Sequence, residues 1–211
     1  MKIDIWSDYV CPFCTVGERH LALALEKFEG RDDVEIVWRS FELDPTAEKN
    51  PTESMVDYLV KRKGMPKEQV ESMNQGLAQR AADVGLEFNW QNAVSGNTRD
   101  AHRLGHLARE KGVGNEWDKA LKLAYFTEGR NISDDEVMKD IAAQVGLDAE
   151  DVESVLGSNE YDDRVQADIN QAVALGVQGV PFFVFDGRLG VSGAQPVEVF
   201  TQALEQAAAT K

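Results

Sequence analysis

Two cysteines three positions apart, Cys11 and Cys14, are the residues of this chain best suited to chemistry. They are its only two cysteines, so the sequence cannot hold a framework of stabilising disulfides. In a reducing compartment, two thiols at this spacing are usually either catalytic or metal-binding. A catalytic pair exchanges disulfides, because one thiolate attacks and the second thiol resolves the mixed disulfide. The spacing therefore indicates thiol–disulfide chemistry.

The position of the pair between two predicted elements supports this interpretation. Ile3 and Ile5 alternate with polar residues as in a strand, and helical spacing begins directly after the cysteines. Cys11 would then lie at a helix N-terminus, where unpaired backbone N–H groups and the helix dipole favour its thiolate form. Pro12 fits the first helical turn, where its missing N–H costs nothing. Cys14, one turn along, can reach the Cys11 sulfur.

A zinc site is the alternative for the two cysteines. It needs two further ligands, which the three histidines, His20, His102 and His106, would have to supply. A metal knuckle rarely opens straight into a long helix behind a strand, so the redox interpretation is favoured and no metal is expected. The histidines are expected to be surface or capping residues.

The order of the elements predicts an α/β fold. The first forty residues are typical of strand, helix and strand, which implies a parallel pair with a right-handed crossover. The final fifty residues predict a helix, two strands joined at Asp186-Gly187, and a last helix. These ends together predict one mixed four-stranded sheet, a thioredoxin-like domain made of residues 1–45 and 158–211. Residues 46–157 predict an all-helical insertion domain, acting as a stabilising cap or as a lid.

A proline at the head of an apolar strand is the second feature with a chemical interpretation. In Gly179-Val180-Pro181-Phe182, Pro181 lies where a strand is predicted to start. In a thioredoxin-like sheet this position holds a cis-proline that faces the dithiol, and the backbone around Val180 pairs with an extended substrate. A trans proline is the commoner geometry in general. The dithiol and the topology favour cis here.

The net charge and the hydropathy of the chain limit the classes of partner that it is expected to bind. The chain has 211 residues, with 37 acidic and 22 basic side chains and a net charge of −15. This balance argues against nucleic acid or an anionic membrane, because phosphate binding needs clustered Lys and Arg. Nothing at the N-terminus is typical of a signal peptide, and the apolar run 180–185 is far shorter than the ~20 residues that span a bilayer. A cytoplasmic protein is therefore expected.

Three segments together resemble the DsbA-like thioredoxin superfamily, and most closely its FrnE-like branch of dithiol–disulfide isomerases or oxidoreductases. They are residues 6–14 (WSDYVCPFC), residues 97–104 (NTRDAHRL) and residues 179–183 (GVPFF). Gly193-Ala194-Gln195 before the last helix also resembles that branch. The resemblance spans nearly the whole chain.

The resemblance implies roles for individual residues. Cys11 would be the nucleophile and Cys14 the resolving thiol, with Pro12 and Phe13 beside them. Pro181 would be the cis-proline, and Val180 would contact substrate. The remaining substrate contact would be Asn97, near the active-site mouth at the start of an insertion helix, although its residue type also suits a plain helix cap.

Two positions depart from the pattern of the family. Phe13 stands where strongly oxidising DsbA proteins have a histidine, so one source of thiolate stabilisation is missing. Ile5 stands six residues before Cys11, where thioredoxin-like proteins often carry a buried acid that relays protons to the second cysteine. Asp4 is expected to point the other way by strand alternation. Proton relay would then fall to water or to Asp8, which is equally suited to be a helix cap or a loop anchor.

The leading function is an intracellular thiol–disulfide oxidoreductase or isomerase that acts on protein or peptide disulfides. It needs no cofactor, and glutathione or a thioredoxin-type partner would recycle the dithiol. The first alternative is a relative of glutathione-dependent isomerases or kappa-type glutathione transferases, for which two thiols are redundant. The second is a non-catalytic binding protein with a redox switch. A monomer or weak homodimer is expected.

Overall fold

The computed structural model describes residues 1–209. Within them the chain forms two compact units, one of Met1–Leu43 with the chain from Gln166 onward, and one of Asp44–Val165. The sequence predicts boundaries after residues 45 and 157. In the structure, the first boundary follows Leu43, within two residues of the predicted position. The second boundary follows Val165, inside the helix Asp162–Ala174.

The first unit is built on one four-stranded sheet. Its strands are β1 (Lys2–Ser7), β2 (Glu35–Ser40), β3 (Phe182–Phe185) and β4 (Leu189–Ser192), in the spatial order β2-β1-β3-β4. β1 pairs with β2 in parallel, and the β1–β3 and β3–β4 pairs are antiparallel. The predicted mixed four-stranded sheet is therefore confirmed. The strand β1, which leads into the cysteines, is central in the sheet and lies next to β3, which follows Pro181.

Alternating side chains of β1 supply the cores on the two faces of this sheet. Ile3 and Ile5 belong to a cluster that β3 completes with two phenylalanines and that the helices α1 (Pro12–Glu26) and α9 (Val197–Ala209) cover. Trp6 belongs to a second cluster, with Ala172, Val177 and Val184. Helix α1 is thus held on one face by apolar packing, which sets the position of its first turn.

A partly buried ionic cluster lies beside the second apolar cluster. The Arg39 guanidinium, on β2, donates to the Asp4 carboxylate at 2.8 Å and to the Asp168 carboxylate at 3.0 Å. The second oxygen of Asp168 accepts from the backbone N–H of Ser40 at 3.0 Å, and its backbone carbonyl accepts from the Trp6 indole at 2.9 Å. Asp168 therefore connects its helix to both β1 and β2.

The second unit is helical, as the sequence predicts. Its helices are α2 (Met55–Lys63), α3 (Lys67–Asp83), α4 (Arg99–Glu110), α5 (Gly114–Lys122), α6 (Asp135–Gln144), α7 (Ala149–Leu156) and the start of α8 (Asp162–Ala174). A π-helical turn, Leu123–Thr127, continues α5. In the described part of the chain, each helix is too short or too polar to cross a membrane.

The start of α6 differs from the sequence-based expectation. The sequence predicts a capping box in which Ser133 caps the helix and Glu136 closes the box. In the structure Asp134 is the cap, and its carboxylate accepts from the backbone N–H groups of Glu136 and Val137. The Ser133 hydroxyl instead donates to Asn131 at 2.6 Å and accepts from the Asn50 backbone N–H. Aspartate and serine cap equally well, so these loop contacts decide between them.

Candidate active site

The two cysteines lie at the start of α1. Cys11 is the N-cap residue, with an extended backbone (φ −90°, ψ 108°), and Pro12 follows as the first helical residue. The backbone N–H of Cys11 donates to the Asp8 carbonyl at 3.0 Å, and that of Cys14 donates to the Cys11 carbonyl at 3.1 Å. Both side chains are buried thiols, with Cys14 wholly inaccessible and Cys11 3% exposed. The first helical turn thus brings the two sulfurs to the same side.

The loop that contains Pro181 faces Cys11. The Val180–Pro181 peptide bond is cis. The Cys11 thiol donates to the Val180 carbonyl, with a sulfur–oxygen distance of 3.6 Å, although the residues are 169 positions apart in the chain. Pro181 is buried, and its carbonyl accepts from the Gly193 backbone N–H at 2.8 Å, which ties the loop to the end of β4. Four of the predicted site residues, Cys11, Cys14, Val180 and Pro181, therefore lie together.

A glycine lets helix α1 come close to this loop. A Cβ atom on Gly17 would lie 3.0 Å from the Pro181 ring and 3.2 Å from the Ala194 Cα, distances tighter than ordinary van der Waals contact. One turn further on, the His20 Nδ1–H donates to the Gln195 carbonyl at 2.6 Å. The segment 193–195 therefore packs against α1 on the turns that follow the cysteines.

The Gly17→Ala substitution is expected to destabilise the protein by about 1–3 kcal/mol, because the added methyl group overpacks the contact with Pro181. Gly76, in the exposed interior of α3, is the matched control, since a Cβ there meets nothing within 4 Å. Gly76→Ala is expected to stabilise by up to about 1 kcal/mol through helix propensity. Urea unfolding of both variants measures the difference. Equal stabilisation by both would contradict the close approach at Gly17.

The environment of Cys14 sets its protonation state. Burial raises the pKa of the Cys14 thiol well above its ordinary value, and a hydrogen bond with Cys11 and the charges of Cys11 and Glu18 raise it further. A hydrogen bond from the Asp8 backbone amide acts in the opposite direction. Cys14 is therefore held as a neutral thiol at neutral pH, which suits a residue that acts second.

The raised pKa of Cys14 makes the stability of the reduced protein pH-dependent. The stability that the protein gains from keeping Cys14 protonated is complete below the pKa of an unfolded thiol, about 8.5. This stability is lost as the pH rises toward the pKa of Cys14 in the folded protein. Between the two values the free energy of unfolding is expected to fall by up to about 1.4 kcal/mol per pH unit. Urea unfolding of the reduced protein from pH 7 to 10 measures this slope. A Cys14→Ser control that shows the same slope would contradict the assignment to Cys14.

One carboxylate near the dithiol is not among the residues that the sequence predicts for the site. Glu18 lies on α1, one turn after Cys14, and its Oε1 accepts from the Ser7 hydroxyl at 2.9 Å. Ser7 is buried at the end of β1. The spacing of four from Cys14 is a signal that the sequence contains, because residues four apart lie on one face of a helix. The contact with Ser7 is not visible in the sequence.

Asp8 has a contact that matches one of its predicted roles. Its side chain is 1% exposed, and its Oδ2 accepts from the Leu43 backbone N–H at 2.8 Å. Asp8 thereby anchors the chain after β2 to the loop that leads into Cys11. Phe13, the residue between Pro12 and Cys14, is 39% exposed, so an apolar ring is available to solvent beside the dithiol.

The structure describes Asn97 within the helical unit. Its Oδ1 accepts from the Arg99 backbone N–H at 2.9 Å, at the first residue of α4, and its side-chain amide donates to the Pro45 carbonyl at 3.3 Å. The cap residue itself is Thr98. The prediction that the histidines are surface or capping residues is wrong for two of them, which pack inside this unit: His102 is buried on α4, and so is His106, whose ring stacks on Tyr161. The substrate contact predicted for Asn97 stays a prediction.

Comparisons with known proteins identify relatives along the whole chain. A family model of the DSBA-like thioredoxin domain matches residues 2–205. The uncharacterized protein YwbO of Bacillus subtilis (strain 168) is 30% identical, over 97% of this chain and 96% of its own length. A crystal structure described as a probable DsbA oxidoreductase from Streptomyces coelicolor is 44% identical, with a TM-score of 0.96 and coverage of 100% of this chain and 91% of that one.

A more distant solved structure shares the fold. The cytosolic disulfide reductase DsbM of Pseudomonas aeruginosa is 17% identical, with a TM-score of 0.63 and full coverage of both chains. The family match agrees with the resemblance of the three sequence segments, with the sheet order and with the thiol pair at the start of α1. The protein is a member of the DSBA-like thioredoxin family of thiol–disulfide oxidoreductases.

Proposed function

We propose that this protein exchanges disulfides with protein or peptide substrates, with Cys11 as the nucleophile and Cys14 as the resolving thiol. The observation that carries the proposal is the 3.6 Å contact between the Cys11 sulfur and the Val180 carbonyl. It sets the thiol at the start of α1 against a loop backbone, as the attack on an extended disulfide-containing segment requires. Pro12, Phe13, Val180 and Pro181 are proposed to contact the substrate.

The exchange consists of two thiol–disulfide steps. In the first, the Cys11 thiolate attacks one substrate sulfur, forms a mixed disulfide and releases the other substrate sulfur as a thiolate. In the second, Cys14 loses its proton and attacks the Cys11 sulfur, which releases the first substrate sulfur. The substrate disulfide is reduced to two thiols while Cys11 and Cys14 are oxidised to a disulfide. The same steps run backwards when the protein oxidises a dithiol.

The proposed direction is reduction or isomerisation of disulfides. Phe13 offers no imidazole to stabilise the Cys11 thiolate, and a less stabilised thiolate makes the oxidised form less oxidising. Titration of the dithiol in a glutathione redox series is expected to give a potential nearer to thioredoxin's, about −270 mV, than to DsbA's, about −120 mV. A value near the latter would make the protein a disulfide donor. The absence of any disulfide across the series would sink the dithiol mechanism.

The proposed setting is the cytoplasm, where glutathione or a thioredoxin-type partner would return the cysteine pair to its reduced form. Within the superfamily, the protein is proposed to belong to the FrnE-like branch. DsbM, which shares the fold, carries the description cytosolic disulfide reductase and was also crystallised with GSH. These descriptions apply to DsbM and support the proposal by analogy. Recycling is tested by following the reduction of the oxidised protein by glutathione alone and by a thioredoxin system.

A further inference from the structure

The second step of the exchange needs a proton acceptor beside Cys14. Cys14 is fully buried and neutral, and only its thiolate can attack the mixed disulfide. The position that often carries a buried acid in related folds is Ile5, whose side chain packs with Ile3 and Phe183 in the apolar core. That position therefore supplies no proton acceptor, and the Cys14 proton has to pass to another side chain or to water.

Glu18 is placed to take this role. It follows Cys14 by four residues on α1, so the two side chains leave the same face of the helix, with Cβ atoms about 5–6 Å apart. The Ser7 hydroxyl donates to Glu18 Oε1 at 2.9 Å from the end of β1, and so restrains the carboxylate where helix and strand meet. Glu18 is only partly exposed, and its charge acts on Cys14.

The other groups around Cys14 fit this assignment less well. Cys11 is part of the mixed disulfide when Cys14 attacks, so its sulfur is not a base at that stage. Asp8 faces Cys14 with its backbone amide, which donates a hydrogen bond. Its side-chain Oδ2 accepts from the Leu43 backbone N–H. These contacts make Asp8 an anchor of the loop.

We propose that the Glu18 carboxylate accepts the Cys14 proton when Cys14 attacks the mixed disulfide, and returns it when Cys14 is the leaving group. The proposal rests on the dithiol function proposed above. In the forward step the S–H proton moves to the carboxylate, directly or through one water. The Cys14 sulfur forms a bond with the Cys11 sulfur, and the substrate sulfur leaves with the electron pair of the broken bond. The carboxylic acid then gives its proton to solvent or to the departing thiolate.

Removal of the Glu18 carboxylate changes the rate of the resolving step in opposite directions, depending on whether the carboxylate acts as a base or only as a nearby charge. If Glu18 acts only as a nearby negative charge, its removal makes more Cys14 thiolate available, and the resolving step becomes faster. If Glu18 is the proton acceptor, its removal slows that step, because general base assistance is lost. The sign of the rate change in Glu18→Gln therefore separates the two roles. Glutamine keeps an oxygen that can accept from the Ser7 hydroxyl.

The experiment mixes reduced protein with an excess of a small peptide disulfide, quenches samples with acid, and counts three species by mass spectrometry. They are the dithiol, the protein that carries one peptide, and the oxidised protein. Appearance of the second species reports the attack by Cys11, and its decay reports the attack by Cys14. For Glu18→Gln at pH 7 we expect the first rate to change less than about twofold and the second to fall about a hundredfold.

The pH profile adds a readout that a purely structural role would not change. From pH 5.5 to 8 the wild-type resolving rate is expected to depend only weakly on pH, whereas the Glu18→Gln rate should rise about tenfold per pH unit as hydroxide takes the place of the carboxylate. Glu18→Asp, which keeps a carboxyl group, is expected to keep the shallow profile at a lower rate. A resolving rate in Glu18→Gln that equals or exceeds that of wild type at pH 7 would overturn the proposal.

A control on the same helix removes an equal charge away from the dithiol. Glu26, at the end of α1, forms an exposed ion pair with Arg19, and Glu26→Gln is expected to leave both rates unchanged. Failure of the dithiol function itself would look different, because wild-type protein would then form neither the mixed disulfide nor the oxidised form.

Discussion

Cys14→Ser is expected to turn the protein into a trap that stays bound to its substrate. Cys11 in this variant keeps its place at the start of α1 and its contact with the Val180 carbonyl, so it still attacks a disulfide. The mixed disulfide then persists, because the serine hydroxyl does not attack it. Turnover with a disulfide substrate is expected to fall on the order of a thousandfold or more. Non-reducing electrophoresis and intact-protein mass spectrometry detect the adduct.

Cys11→Ser provides the complementary result. It removes the sulfur that faces the Val180–Pro181 loop and leaves Cys14, which is wholly buried and whose pKa is raised. We expect a loss of turnover of the same order and no adduct. Thr15→Ser, beside Cys14 on the same helix turn, is the matched control and should keep wild-type turnover. An adduct formed by Cys11→Ser, or none formed by Cys14→Ser, would reverse the assigned roles or remove them.

The adduct also gives access to the natural substrates. Because the mixed disulfide of Cys14→Ser is covalent, proteins captured by this variant in cells and released by reductant are those that reach Cys11. The same capture with the Cys11→Ser, Cys14→Ser double variant identifies proteins that bind without disulfide exchange. Clients held equally well by the double variant would favour the redox-switched binding protein over the enzyme.

Asp168→Asn is expected to lower the free energy of unfolding by about 3 kcal/mol. Removing one partner of a buried ion pair usually costs about 3–5 kcal/mol. We expect the lower end of that range, because the Arg39 side chain is 24% exposed and keeps its pairing with Asp4. Asparagine retains the shape of the side chain but not its charge. Urea unfolding of the variant measures the loss.

A matched charge removal and a double-mutant cycle make this prediction specific. Asp32, whose side chain is 95% exposed, lies in the same unit, and Asp32→Asn is expected to change stability by less than about 0.5 kcal/mol. In a cycle of Asp168→Asn with Arg39→Gln, the coupling is expected to be about 0.5–3 kcal/mol. If Asp168→Asn costs no more than Asp32→Asn, the ionic cluster does not hold β2 to the helix.

The stability of this cluster bears on the active site through the sheet. Asp168 connects its helix to β1 through Trp6 and to β2 through Ser40 and Arg39. β1 leads into the loop before Cys11 and pairs with β3, which follows Pro181. The cluster acts on the cysteines only through the sheet. Asp168→Asn is thus expected to lower stability without changing the thiol chemistry directly, whereas the cysteine variants change that chemistry.

The sequence by itself determined the chemistry and the fold class of this protein. A thiol pair behind an alternating strand and at the head of a helical pattern is a local signal, because side-chain periodicity and helix-start preferences act over a few residues. The strand–helix–strand start and the helix–strand–strand–helix end likewise predict the mixed sheet. The likeness of three short segments to the DsbA-like superfamily, confirmed by the family match, needed only residue types at their positions.

Only the tertiary structure decided which residues of the helices contact the strands and loops of the sheet. Glu18 is one charged residue among many on a helix surface until the contact with Ser7 places it at the end of β1. Nothing in the sequence indicates that position 17 requires a glycine, whereas the structure shows the Pro181 ring packed against it. Asp168 falls on an ordinary amphipathic helix, and its ion pair with Arg39 joins residues 129 positions apart. Such pairings depend on how helices pack on the sheet, which no local pattern contains because packing joins residues far apart in the chain.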